Sequence, residues 1–187
     1  MIATYLLSLL LALTTSPDST NMDGLSIGTQ APTFYSKLSG GGDFYLSRIV
    51  GQRSRPNLKS HIVLSFFTTS CVACRAEIPI LHDLQEDFPT IKFYLVNIAE
   101  KDERCKAYIK KMGYTLPVLL DKYGKTAEKY KATHTPTLVI IDEDGKIVFF
   151  KKGFSKDKDD AKVIRNRLEK LVNRADQSLL DPNETTD

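Results

Sequence analysis

Two stretches of the chain are almost continuously apolar, HIVLSFF (61–67) and IKFYLVNI (91–98). Runs of this length and β-branched content are typical of strands that are covered on both faces of a sheet. Between them, apolar side chains recur at steps of three and four residues, at Ile78, Leu81, Leu84 and Phe88. This spacing predicts a helix that starts at about Cys71 and connects the two strands.

A second helix is predicted directly after the second strand. Asp102 is the candidate N-cap and Gly113 the C-terminal stop, while Cys105, Tyr108 and Met112 share one apolar face. A short apolar run, LPVLL, and a small helix over about 125–130 come next. The elements up to this point alternate between strand and helix, which favours parallel strands joined by crossovers.

The next two strands are predicted to form an antiparallel hairpin. TPTLVIID and KIVFF are joined by Glu143-Asp144-Gly145, the strongest hairpin signal in the chain. A closing helix is predicted from near Ser155, and two short strands are predicted on either side of the glycine run 40–42. The whole order predicts an α/β fold with a central mixed sheet that is flanked by helices on both faces.

The ends of the chain differ in composition from this unit. The apolar stretch 2–13 is shorter than the ~20 residues that a membrane-spanning helix needs. We expect residues 1–23 to be a signal peptide or membrane anchor followed by a polar linker, although no Lys or Arg lies in the leader. The folded domain is predicted over 24–172, and 173–187 are expected to form a flexible tail because they lack periodicity.

Composition narrows the function only slightly. The chain has 187 residues and 42% hydrophobic content, which suits one domain, and we expect a monomer. Its 26 Lys and Arg nearly cancel its 23 Asp and Glu, so a net charge of +3 gives no argument for nucleic acid. Three cysteines are too few for a disulfide-scaffolded fold, and an odd number leaves one thiol outside any intramolecular pair.

The sequence TTSCVAC (68–74) places two cysteines where the first strand turns into the first helix. At the N-terminus of a helix, unsatisfied N–H groups and the helix dipole favour the thiolate of Cys71, which makes it a nucleophile. Cys74 lies one turn later and deeper, as a resolving thiol should. A pair of small core residues and half of a zinc site are the other interpretations, but Cys105 has no partner for zinc.

Several motifs resemble those of the thioredoxin-like thiol-disulfide oxidoreductases of the TlpA, ResA and CcmG type. They are GTQAPTF, FFTTSCVACRAEIPIL, LPVLLDKYGKTAEKYKATHTPTLVIIDEDGKI and KKGF. The resemblance implies a thioredoxin-like fold, an extracytoplasmic location and reduction of disulfides in partner proteins, often in cytochrome c maturation. It implies an upstream thiol donor and no cofactor or metal.

The resemblance also implies roles for individual residues. Cys71 and Cys74 match the attacking and resolving thiols of a redox-active disulfide, and Glu77 matches an acidic residue near the active site. Pro136 matches a cis-proline, and the loop Thr135–Pro136 is expected to lie against the cysteines and contact the substrate. Glu77 has an ordinary interpretation as well, since carboxylates are favourable in the first turns of any helix.

The chain departs from this family where Ser70 stands in place of a Trp before the first cysteine. Two alternative functions stay open. His134, with both cysteines, suits a Cu(I)-binding chaperone. Thr68-x-x-Cys71 is similar to part of a peroxiredoxin motif, which suggests a peroxide reductase, although that motif has proline where Leu64 stands. Cys105 is predicted to be buried and inert.

Overall fold

The computed structural model describes residues 25–156 and 159–180, which form seven strands and four α-helices. The strands are β1 (Tyr35–Leu38), β2 (Asp43–Tyr45), β3 (Ile62–Phe67), β4 (Lys92–Ile98), β5 (Val118–Asp121), β6 (Thr137–Ile141) and β7 (Ile147–Lys152). The helices are α1 (Val72–Asp87), α2 (Asp102–Met112), α3 (Lys125–Lys129) and α4 (Asp160–Leu180).

The strands form one mixed sheet in the order β2-β1-β5-β4-β3-β6-β7. The three central strands β3, β4 and β5 are parallel, and every other neighbouring pair is antiparallel. Helix α1 makes the crossover between β3 and β4, as the helical spacing after the first strand predicted. The predicted thioredoxin-like α/β fold with a central mixed sheet is confirmed.

All six side chains of β3 are buried, because alternate residues enter two different cores. Val63 and Phe67 pack with apolar residues of α1, α2 and α4. Leu64 and Phe66 pack on the opposite face, against residues of α3 and the segment 44–50. Helices therefore cover both faces of the sheet. A polar side chain of β3 is buried on either face.

Two element boundaries differ from the sequence-based expectation, at the start of α4 and at the N-cap of α2. Helix α4 begins at Asp160 and not near Ser155, and it continues to Leu180, eight residues past the predicted domain end at 172. The sequence has no Gly or Pro between Asp160 and Pro182, so no helix-breaking residue lies at 172. Asp102 does not cap α2; its carboxylate accepts a hydrogen bond from Ser39 and pairs with Lys106.

The two loops that carry the predicted site residues emerge at one edge of the sheet. Phe66 of β3 lies opposite Thr137 of the antiparallel strand β6. The carboxyl end of β3, which leads into 68–71, is therefore next to the amino end of β6, which follows Thr135–Pro136. Because β3 and β6 are antiparallel neighbours, the pairing of these two strands brings the two loops to the same end of the sheet.

Within the described residues, no helix has both the length and the apolar content that a membrane crossing requires. The predicted leader, 2–13, lies outside the described residues, as does the end of the predicted tail, 181–187.

Candidate active site

Cys71 is the N-cap residue of α1. Its backbone is extended, with φ −71° and ψ 112°, and its Sγ accepts a hydrogen bond from the backbone N–H of Cys74 at 3.0 Å. A sulfur in this position faces the unsatisfied N–H groups and the positive end of the helix dipole. The same interactions stabilise a thiolate on Cys71 once the site is reduced.

Cys71 and Cys74 are joined by a disulfide, with 2.07 Å between their sulfurs and 5.4 Å between their Cα atoms. The two cysteines differ in access to solvent: Cys71 is 8% exposed and Cys74 is 0% exposed. Val72 between them is 74% exposed, so an apolar side chain stands out beside the disulfide. A partner protein that approaches this edge reaches Cys71 before Cys74.

Glu77 follows Cys74 by three residues on α1 and is 1% exposed. The Ser65 hydroxyl of β3 donates a hydrogen bond to its Oε2 at 2.5 Å. Burial raises the pKa of Glu77 to about 7, while the Ser65 hydrogen bond and the charge of Lys151 act in the opposite direction. A carboxyl group with this pKa both accepts and releases a proton near neutral pH.

The loop before β6 contains a cis peptide bond between Thr135 and Pro136. The Pro136 carbonyl accepts a hydrogen bond from the N–H of Gly153 at 2.7 Å, and the Thr137 hydroxyl donates to the His134 carbonyl at 2.7 Å. Both bonds tie the loop to its own hairpin. Pro136 is buried, whereas Thr135 is half-buried at the edge of the sheet where α1 begins.

His134 is exposed, and its Nδ1 lies 3.0 Å from the Thr133 hydroxyl. Over 25–156 and 159–180, no three His, Cys, Asp or Glu side chains form a group that could hold a metal. Within these residues, His134 therefore forms no such group with Cys71 and Cys74, which are joined as a disulfide in this structure.

Cys105 is a free thiol on α2 with no exposed surface. Burial raises its pKa to about 12, and the nearby Glu100 and Asp102 carboxylates act in the same direction. Cys105 packs in the core that contains Cys71 and Cys74, together with Tyr108 and Met112. Its burial agrees with the prediction from the apolar face of its helix.

A cluster around Glu100 was not foreseen from the sequence. Its carboxylate accepts hydrogen bonds from the N–H of Thr69 at 2.8 Å, the hydroxyl of Thr69 at 2.7 Å and the side-chain amide of Asn97 at 2.7 Å. Arg104 completes the cluster, with its Nε 2.9 Å from the Thr69 hydroxyl and 3.2 Å from Glu100. These contacts hold the segment that leads into Cys71.

One sequence signal could have indicated this cluster. Thr69 and Glu100 each follow a parallel strand, β3 and β4, and the carboxyl ends of neighbouring parallel strands meet at one edge of a sheet. Burial alone raises the pKa of Glu100, but the hydrogen bonds from Thr69 and Asn97 outweigh it and hold the pKa below its usual value. The carboxylate is thus present as an acceptor at neutral pH.

Comparisons with known proteins agree with this geometry. The profile of the AhpC/TSA family matches residues 27–150. The chain is 33% identical over 128 residues to the thioredoxin-like protein YneN of Bacillus subtilis, which is 66% of this chain and 70% of that protein. It is 24% identical over 166 residues to the thiol-disulfide oxidoreductase ResA of the same organism, covering 88% and 81% of the two chains.

The fold is also found among solved structures. The thioredoxin domain of a thiol-disulfide oxidoreductase from Bacteroides vulgatus superposes with a TM-score of 0.64 at 22% identity. The match covers 78% of this chain and 97% of that domain.

Proposed function

The chain belongs to the AhpC/TSA family, and we propose that it reduces disulfide bonds of partner proteins outside the cytoplasm. Its reaction class is that of a thiol-disulfide oxidoreductase, as in its relatives. The observation that carries the proposal is the asymmetric pair: Cys71 caps a helix at the sheet edge, and Cys74, fully buried, is bonded to it.

The first step uses the reduced protein. The Cys71 thiolate attacks one sulfur of the partner's disulfide, a mixed disulfide forms between Cys71 and the partner, and the partner's other sulfur leaves as a thiolate. The N–H groups at the start of α1 stabilise the attacking thiolate before this step. Cys71 is the attacking residue because Cys74 has no exposed surface.

The second step resolves the mixed disulfide. The Glu77 carboxylate takes the proton of the Cys74 thiol, and the resulting thiolate attacks the Cys71 sulfur. The Cys71–Cys74 disulfide forms, and the partner's second sulfur leaves as a thiolate. The partner gains two electrons and the protein loses two, which an upstream thiol donor then restores.

The substrate is proposed to bind across the edge that carries the disulfide. Two features support this: Thr135 and Pro136 come directly before β6, whose amino end is next to the carboxyl end of β3, and Val72, next to Cys71, is exposed. An extended peptide lying on this edge meets an apolar surface together with backbone groups of the loop. Ser70, which is exposed before Cys71, leaves this rim more open than a Trp would.

The compartment and pathway are part of the proposal. The apolar stretch 2–13 supports export or membrane anchoring, and disulfide chemistry persists outside the cytoplasm. The resemblance to proteins of the TlpA, ResA and CcmG type supports cytochrome c maturation as the process served.

A trapping experiment tests the proposal. Cys74→Ser leaves a nucleophile without a resolving thiol, so in cells it accumulates a covalent complex between Cys71 and its partner that reductant releases. Cys71→Ser accumulates none, and Cys105→Ser, the control for a buried thiol, behaves as wild type. If folded and exported Cys74→Ser gives no mixed disulfide, the oxidoreductase proposal is wrong; the captured partner identifies the substrate.

A further inference from the structure

Behind the disulfide, three strands present a row of side chains to α1 and α4. Ser65 of β3 lies opposite Leu138 of β6, and Leu138 lies opposite Lys151 of β7. Residues directly opposite each other point to the same face of a sheet, and Leu138 packs with the apolar residues of α1 and α4. Ser65 and Lys151 therefore lie on that face, two strand spacings or about 10 Å apart.

Lys151 is held in this row by an acid at the start of α4. Its Nζ lies 3.2 Å from Oδ2 of Asp160, which also accepts a hydrogen bond from the N–H of Ser155 at 2.7 Å. The side chain of Asp160 is 6% exposed and that of Lys151 is 26% exposed. Because both side chains are largely buried, removing one charge leaves the other charge without a partner next to the core.

Glu77 interacts electrostatically with both ends of this row. Burial has the largest effect on its pKa; the Ser65 hydroxyl and the Lys151 ammonium lower that pKa, and the Asp160 carboxylate raises it. The groups that act on the pKa of Glu77 thus belong to β3, β7 and the first residue of α4, and of these Ser65 contacts it directly. On its own helix, the thiol of Cys74 lies one turn earlier.

We propose that Lys151 and Asp160 are positioning residues for the resolving step, in which their paired charges determine how readily Glu77 takes the proton of Cys74. The inference rests on the proposed function, because it requires Glu77 to act on that proton. The two charges oppose each other at Glu77, so their removal has opposite effects. If the pair had a purely structural role, removal of either charge would slow the resolving step in the same way.

The two steps are measured separately with the reduced protein and the aromatic disulfide 5,5′-dithiobis(2-nitrobenzoate). Attack by Cys71 releases one coloured thiolate and leaves the second aromatic group bound to its sulfur. Cys74 then loses its proton to Glu77, bonds to Cys71 and displaces the second coloured thiolate. Rapid mixing therefore resolves two phases of colour, of which the second reports the resolving step and is absent in Cys74→Ser.

The second phase is expected to accelerate with rising pH through a midpoint near the pKa of Glu77, about 7, because only the carboxylate accepts the proton. Asp160→Asn removes the acid that raises this pKa, so the midpoint moves down by at least about half a pH unit. Lys151→Met removes the cation and moves the midpoint up by a similar amount. Lys151→Arg keeps the charge and restores the wild-type midpoint, and Lys170→Met, an exposed lysine of α4, leaves it unchanged.

The outcomes separate the two hypotheses. If Glu77→Gln keeps the wild-type midpoint, Glu77 does not carry the proton and the proposed resolving mechanism is wrong. If Glu77→Gln abolishes the midpoint while Asp160→Asn leaves it in place or raises it, only the inference about Lys151 and Asp160 is overturned. If Lys151→Met does not fold, Asp160→Asn is a sufficient test by itself. This variant is expected to fold because the Asn side-chain oxygen still accepts the hydrogen bond from the Ser155 N–H.

Discussion

Replacing Glu77 by Gln removes a buried charge while keeping nearly the same shape. A Gln side-chain oxygen still accepts the hydrogen bond of Ser65, but the amide does not titrate. Any change in packing or hydrogen bonding that the substitution causes affects the free energy of unfolding equally at every pH. The informative quantity is therefore the difference in the free energy of unfolding between Glu77→Gln and wild type, followed as a function of pH.

The magnitude follows from the pKa of Glu77, about 7 in the folded protein against 4.5 when it is free in solution. Below pH 4.5 the carboxyl is protonated in both states and has no effect on stability. Between pH 4.5 and about 7 only the unfolded chain releases the proton, so wild type loses stability as pH rises. Above pH 7 the full loss is reached, about 3 kcal/mol, and Glu77→Gln avoids it.

Urea denaturation of the oxidised protein at steps from pH 4 to pH 8 measures this difference. Relative to wild type, Glu77→Gln should gain about 3 kcal/mol across the range. The control is Glu86→Gln, which removes an exposed carboxylate from the same helix and should change the free energy of unfolding by less than about 0.5 kcal/mol. A gain for Glu77→Gln below about 1 kcal/mol would refute the argument that burial perturbs this acid.

Two further predictions concern the thiols and the loop before them. In the reduced protein, alkylation followed by mass spectrometry should label Cys71 first, Cys74 slowly and Cys105 only after unfolding, because burial raises the pKa of Cys105 to about 12; fast native labelling of Cys105 would contradict this order. Glu100→Gln should lower the free energy of unfolding at pH 7 by about 2 kcal/mol, since its carboxylate accepts three hydrogen bonds. Urea denaturation beside the exposed control Glu103→Gln checks this, and equal losses in both variants would show that the cluster does not tether the loop.

Much of the fold follows from local patterns in the sequence. The apolar run 61–67 and the helical spacing after it place Cys71 at a strand-to-helix junction, where the structure has it. The Asp-Gly turn at 144–145 joins β6 and β7 as predicted. These features depend on neighbours within a few residues, so periodicity and turn chemistry are enough to find them.

The polar contacts of the site depend on register between distant strands, which periodicity does not give. Glu100 meets Thr69 across 31 residues of sequence, and Lys151 reaches the site only through the pairing of β7 with β6. From the sequence alone, Lys151 is one of two adjacent lysines at the end of a strand. Only the alternation of the pleat separates it from Lys152 and turns it toward the core.

Glu77 and Ser65 show why packing alone does not account for this core. Both side chains lie among apolar residues, and an apolar pair of similar volume would fill the space without the desolvation of an acid. The Ser65 hydroxyl donates one hydrogen bond to the carboxylate, and the group remains difficult to ionise until pH rises to about 7. We propose that a residue that weakens the fold at neutral pH is retained for the chemistry next to it, in which the thiol of reduced Cys74 needs a proton acceptor.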